Sequence, residues 1–200
     1  MKNIGNIAEL ETLYDAAVQG AIDKVQSSIT PQYQRWIDQS RFVILTTVGP
    51  EGTDASPRGD INSVVRVVDQ HTLWLPDWRG NNRMDSLRNI VRDGRISLMF
   101  MVPGSNNVVR VNGTAVLTAD EEITQTFVHG NKTPKSVIVT TVNEIYFQCA
   151  KALMRSRLWS SEDESGIIPT AGDFLKEVES GFDAEGYDQG YPEYAKDRMW

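Results

Sequence analysis

The stretch Phe42-Val43-Ile44-Leu45-Thr46-Thr47-Val48, followed by Gly49-Pro50-Glu51-Gly52 and then Thr53 to Arg58, decides the fold class. Its first run is apolar and β-branched, its centre is a four-residue turn, and its return carries Pro57, which suits an edge strand or a strand end. Working outward, Ser63 to Val68 and Thr72 to Leu75 are separated only by Asp69-Gln70-His71, which predicts a hairpin. Arg95 to Val102 and Val108 to Ala119 form another strand pair across Pro103-Gly104-Ser105-Asn106-Asn107, and Ser136 to Phe147 reads as a long strand. Between them, Asn81 to Val91 has an apolar face in Met84, Leu87, Ile90 and Val91 and stops at Asp93-Gly94. Asp120 to His129 and Ala150 to Leu158 read as short helices. Most strands follow one another without an intervening helix, so parallel crossovers are excluded. The pattern predicts a mainly β chain with flanking helices, an antiparallel barrel.

Before this region, Ile7, Leu10, Tyr14 and Ala17 share one helical face, continued by Ile22, Val25 and Ile29. Thr30-Pro31 breaks that run and starts another helix bearing Tyr33, Trp36 and Ile37. Three segments result: 1–40, helical and packing on the barrel; 41–159, the barrel; and 160–200, an arm of the same domain. Within the arm, Gly172 to Val178 is helical, and Phe182, Tyr187, Tyr191, Tyr194 and Trp200 are the anchors of a wrapping segment, with partial disorder the alternative. There is no internal repeat.

Composition narrows the function. The chain has 200 residues, one cysteine and two histidines. That excludes a disulfide framework and makes a zinc site of nitrogen and sulfur ligands untenable; no metal is expected. No apolar run approaches the roughly 20 residues of a membrane span, and Met1 to Leu13 has no signal-peptide core. The expectation is a cytoplasmic protein that binds neither membrane nor nucleic acid. The net charge of −7 sits wholly in the arm, where residues 160–200 hold eleven acids and three bases. By contrast the window Arg58 to Arg110 holds eight arginines, five aspartates and no lysine. An arginine island in a near-neutral body suits one compact anion, whereas a polynucleotide needs a broad basic face.

Trp74-Leu75-Pro76-Asp77-Trp78-Arg79-Gly80-Asn81-Asn82-Arg83-Met84-Asp85-Ser86-Leu87-Arg88-Asn89 runs from a strand through a polar loop into a helix starting close to Asn82. A helix start exposes unpaired N–H groups and partial positive charge, which attract phosphate. Arg83 opposes the dipole there unless an anion lies between; the alternative is a surface pair with Asp85 or Asp77. Arg66, among valines, and Arg110, sharing a strand face with Asn112, could converge on the same anion or simply face solvent. Arg58, beside Gly59, adds a fourth guanidinium. No nucleotide-binding glycine motif, nucleophile elbow or metalloprotease helix occurs. No catalytic side chain is assigned: His129 reads as a helix-end cation, His71 as solvated and Cys149 as a small buried residue.

Ser56-Pro57-Arg58-Gly59-Asp60, the strand around Arg66, Leu75-Pro76-Asp77, Gly80-Asn81-Asn82-Arg83, Asp85-Ser86-Leu87-Arg88-Asn89, Val102-Pro103-Gly104, Val109-Arg110-Val111-Asn112-Gly113 and Cys149 to Trp159 together resemble the pyridoxamine 5'-phosphate oxidase-related FMN-binding proteins. The resemblance covers about residues 40 to 160. It implies a split β-barrel homodimer with FMN at each subunit interface. Arg66, Asn81, Asn82 and Arg83 would then hold the phosphate and ribityl chain, and Pro76 and Asp77 would lie against the flavin. Arg110 and Asn112 would reach in from a later strand, and Lys151, Arg155 and Trp159 would close the site across the dimer. The oxidases carry basic or hydroxyl-basic neighbours at the helix start, and Asn82 departs from that. The expected function is an FMN-dependent oxidoreductase acting on an unknown small molecule, with oxidation of pyridoxamine phosphate doubtful because the arm is acidic. The alternatives are a non-catalytic flavin carrier or sensor, or a split barrel holding deazaflavin or haem.

Overall fold

The computed structural model describes residues 1–196 and 198–200. Seven strands, β1 (Phe42–Gly49), β2 (Gly52–Gly59), β3 (Arg66–Val67), β4 (Thr72–Asp77), β5 (Arg95–Met101), β6 (Val108–Thr118) and β7 (Ser136–Gln148), form one antiparallel sheet. Their order is β2-β1-β5-β6-β7-β4-β3. Alternation drives it: Val43 and Leu45 of β1, Ile96, Leu98 and Phe100 of β5, Val109 and Val111 of β6, and Leu73 and Leu75 of β4 all point into the core. The sheet curls but does not close, because β2 and β3 are unpaired with each other. Moreover β3 covers only Leu73 and Trp74 of β4, leaving Leu75–Asp77 with an open edge. A seam therefore runs between β2 and the end of β4. As Pro57 foretold, β2 is an edge strand.

One irregularity sets the register of the long strands. Asn112 pairs with Glu144 but Gly113 with Val142, so Asn143 is a bulged extra residue on β7. The inward positions of β7 consequently switch from Ile138, Thr140 and Val142 to Ile145. Opposite the bulge, a Cβ on Gly113 would lie 2.0 Å from the carbonyl oxygen of Thr141. Only glycine allows that approach.

The helices are α1 (Ile7–Glu11), α2 (Gln19–Asp23), α3 (Pro31–Asp38), α4 (Asp85–Arg92), α5 (Glu121–Thr124), α6 (Lys151–Ser156), α7 (Ala171–Val178) and α8 (Ala184–Lys196). Thr30 precedes Pro31 as expected, and α3 buries Ile37 completely. The packing expected of the whole 1–40 segment comes instead from its second half. Neither α1 nor α2 buries a residue, and Ile7, Tyr14 and Ile22 are 68%, 72% and 54% exposed. Helices of five residues cannot nucleate stably alone, and among the described residues only Ile29, at the end of the stripe, enters the core. From Gln26, which bridges to Ile145 of β7, the chain joins the core.

Four further expectations are corrected. The first strand of the Ser63–Val68 hairpin shrinks to Arg66–Val67, while Val64 and Val65 leave the strand to fill the core. The Asp120–His129 helix ends at Thr124; His129 instead pairs through its backbone with Lys132. Cys149 is exposed. Beyond α7, where a wrapping segment or partial disorder was expected, the chain forms the 13-residue α8. No helix among the described residues is long and apolar enough to cross a membrane, and none of them form a cluster suited to a metal ion.

Helix α4 is fixed to β1 by a polar contact inside an apolar seam. Asn89 Nδ2 donates to Thr47 Oγ1 at 3.1 Å, and both residues are buried. Asn89 also fits against Gly49, where any Cβ would meet its Oδ1. Asn89→Ala leaves the Thr47 hydroxyl without a partner and a void beside Gly49. The expected loss is about 2 kcal/mol, a fall of roughly 4–8 °C in Tm for a chain of this size, read by thermal unfolding.

Candidate functional site

The seam opens into a cleft of about 910 Å³, within the range of small-molecule sites. One wall is β2 from Asp54 to Gly59, the other is the end of β4, and the floor is the loop 78–84 with the start of α4. Arg58 Nη1 donates to Asp77 Oδ1 at 2.6 Å, tying the two walls across the open edge. The pair is only 22% and 18% exposed. Two donors are left over: Arg58 Nε and Trp78 Nε1 are buried without a hydrogen-bond partner. An orphaned donor costs about 1–3 kcal/mol, so an acceptor placed there is favoured. At the rim, Arg79 and Lys135 add positive charge and make no ion pair among the described residues.

The helix start differs from its expected position. Asn82 and Met84 hold left-handed backbone, with φ of 62° and 61°, so residues 81–84 are a loop and the helix begins at Asp85. Asn82 tolerates that region well; Met84, as N-cap, has no side chain able to cap the helix. The first N–H groups of α4 therefore lack a side-chain cap on the cleft floor. Asp85 answers the dipole, and Arg83 Nε donates to Asp85 Oδ2 at 2.8 Å. The surface-pair alternative holds for Arg83, although both residues still line the cleft. Ser86 Oγ, buried, donates to Asp54 Oδ2 and joins the helix to β2. Outside the cleft, hydrogen bonds hold some carboxylates below their usual range. Asp93 is lowered chiefly by the Arg95 side chain, and Asp173 by the backbone N–H of Thr170 in the cap of α7.

Of the residues singled out from sequence, Arg58, Pro76, Asp77, Asn81, Asn82 and Arg83 share this cleft. The others do not, and of the four arginines that could converge on one anion only Arg58 and Arg83 line the cleft. Arg66 is spent on structure: its guanidinium donates to Thr126 Oγ1 and Thr126 O at 2.7 and 2.9 Å and lies 4.2 Å from the Phe127 ring centroid. Arg110 projects from the outer face of β6, over Tyr146 at 5.3 Å and within 3.3 Å of Gln148 Oε1. On the same face Asn112 donates to Glu144 at 2.6 Å. Lys151 and Arg155 are exposed on α6, and Trp159 Nε1 donates to Ser105 O at 2.7 Å on the β5–β6 loop. Trp78, Arg79, Lys135 and Tyr191 also line the cleft. Of these, Trp78 and Arg79 lay in the stretch already singled out without being assigned, Tyr191 was expected only as an anchor of the arm, and nothing local marks Lys135.

The resemblance implied a split barrel, and an antiparallel sheet that does not close is what the chain forms. The family model described as pyridoxamine 5'-phosphate oxidase matches residues 29–149, more than half of the chain. The chain belongs to the pyridoxamine 5'-phosphate oxidase family. Among solved structures, a putative pyridoxamine 5'-phosphate oxidase from Lactobacillus delbrueckii is 21% identical, with a TM-score of 0.48, covering 60% of this chain and 95% of its own. HupZ of Group A Streptococcus is 20% identical, with a TM-score of 0.46, covering 58% of this chain and 91% of its own. An FMN-binding protein from Syntrophomonas wolfei is 13% identical, with a TM-score of 0.44, covering 58% and 83%. No curated protein matches the chain in sequence. The family match takes in the seam, both walls of the cleft and Arg58, Asp77 and the 78–84 loop.

Proposed function

We propose that this family member is an FMN-binding flavoprotein, an FMN-dependent oxidoreductase of small molecules working as a cytoplasmic homodimer. The observation that carries the reading is the cleft itself, with its orphaned donors Arg58 Nε and Trp78 Nε1 and its cations Arg79 and Lys135, which form no ion pair among the described residues. That set fits a phosphorylated, acceptor-rich aromatic ligand, because guanidinium and indole N–H groups donate and the uncapped helix start favours an anion. Bound FMN would supply the electron transfer. The protein's part is to hold and orient. Arg58, kept in place by Asp77, donates into the cleft; Arg79 and Lys135 neutralise anionic charge at the rim; Asn81, Asn82 and Arg83 form the loop beneath. Pro76 presents a buried, apolar wall without an N–H.

Arg110, Asn112, Lys151, Arg155 and Trp159 would serve a site on the second copy, since none of them lines the cleft of its own chain. Exposed Met154, Leu158, Ile167 and Phe174 around α6 and α7 are apolar surface that a dimer would cover. Sedimentation as a monomer at micromolar concentration would overturn this assembly.

The visible spectrum of the purified protein, with the released chromophore identified by mass, tests the cofactor: FMN is expected, and a deazaflavin or haem would replace it. Anaerobic NADH or NADPH should bleach the flavin; a chromophore that stays yellow marks a carrier instead. Pyridoxamine phosphate should be oxidised weakly or not at all. The arm holds only Lys176, Lys196 and Arg198 against eleven acids, and so cannot build a second phosphate site. Robust turnover of that substrate would refute this expectation.

A further inference from the structure

Helix α8 carries Tyr191 to the cleft, the one residue of the arm to line it among those described. A run of rings stiffens the approach: Phe182 to Tyr187, Tyr187 to Tyr191 and Tyr191 to Tyr194 stand 5.5, 5.7 and 6.1 Å apart between centroids. Arg198 covers Tyr194 at 3.8 Å. The base of the helix is locked to α7, where Gly172 N–H donates to Asp188 Oδ1 and a Cβ on Gly172 would strike the Ala184 carbonyl. The far end is fastened to the barrel. The Trp200 ring stacks on His129, with centroids 4.2 Å apart and planes at 22°, and its Nε1 points to Asp60 Oδ2 at 3.4 Å. Lys132 Nζ reaches Met199 O at 3.4 Å.

The attachment points are placed tellingly. Asp60 directly follows the wall that bears Arg58 and Gly59, and His129 and Lys132 precede Lys135 and Ser136 on the opposite side. Trp200 thus joins the arm to residues that adjoin both walls of the cleft. Tyr191, 49% exposed, has one side toward the cleft and the other in solvent, as a gate residue would.

We infer that α8 is a strap, latched by Trp200, that closes the cleft with the ring of Tyr191 and retains a planar aromatic ligand beneath it; as regards FMN, this rests on the flavoprotein reading above. Closure by a ring rather than by a charge predicts a particular pattern. Tyr191→Ala and Trp200→Ala should each release FMN roughly ten-fold faster than the wild-type chain, followed by recovery of free-flavin fluorescence after dilution. Tyr191→Phe should release it at the wild-type rate.

A second readout needs no flavin. Acrylamide quenching of Trp78 in the ligand-free protein, obtained for each chain by difference from the same chain carrying Trp78→Phe, should rise several-fold in Tyr191→Ala and Trp200→Ala. If wild-type protein holds FMN and neither variant changes its release or the quenching of Trp78, the strap is overturned while the flavin reading stands. If the protein takes up no FMN but both variants expose Trp78, the strap stands and the flavin reading falls.

Discussion

Arg58→Ala is expected to lose FMN affinity by roughly 10- to 100-fold, the worth of a charge-assisted hydrogen bond of about 1.5–3 kcal/mol. The same change should destabilise the chain, by about 2 kcal/mol, because Asp77 remains in the seam with no cation against it. Two companions separate the effects. Arg58→Lys keeps the charge but loses the planar fork and its Nε donor, so affinity should fall to an intermediate value. Asp77→Asn removes the tie between the walls yet leaves the guanidinium free for the phosphate; its Tm should drop while FMN binding holds or tightens. Titration of apoprotein by flavin fluorescence, together with thermal unfolding, reads both quantities. Wild-type affinity in Arg58→Ala would remove Arg58 from the site.

Gly113→Ala should be the most damaging single change in the sheet. The added methyl would meet a backbone oxygen of the neighbouring central strand, not a side chain that can rotate away. Relief requires β6 and β7 to separate at their bulge, in the pair that carries most of the core register. A loss of about 3 kcal/mol or more is expected, at least roughly 6–12 °C in Tm, and much of the protein should be insoluble on expression. Thermal unfolding within 2 °C of wild type, against that roughly 6–12 °C expectation, would mean that the bulge is more compliant than its geometry implies.

The strands were readable because alternation is local: Val43, Leu45 and their partners declare their face two residues at a time. The bulge at Asn143 was not, since a lone Asn inside Val142-Asn143-Glu144-Ile145 does not by itself mark a break and only the pairing with β6 reveals the change of phase. The helix start was misplaced for a similar reason. Asn81 to Met84 have side chains compatible with a helix, and it is the left-handed backbone at Asn82 and Met84 that delays it. Within the candidate site, residues contiguous in the quoted loop came together, whereas of those argued from distant strands only Arg58 joined them. Arg66 looked costly among valines, but the Thr126 and Phe127 that satisfy it lie sixty residues away and carried no mark. In the arm a signal was present and unused: Tyr187, Tyr191 and Tyr194 fall at helical spacing and form the ladder of α8.

The unpaired edges of β2 and β4 mean that, among the described residues, the barrel wall is held along that line by the Arg58–Asp77 ion pair and a few side chains rather than by a ladder of backbone bonds. Whatever fills the gap becomes a keystone, contributing cohesion to the protein as well as chemistry. A cofactor present at a hundred times its dissociation constant would add about 2.7 kcal/mol to the folded state. The cellular lifetime of this protein should therefore track supply of its ligand, with starved molecules fraying first along that line and becoming the earliest substrates for proteolysis.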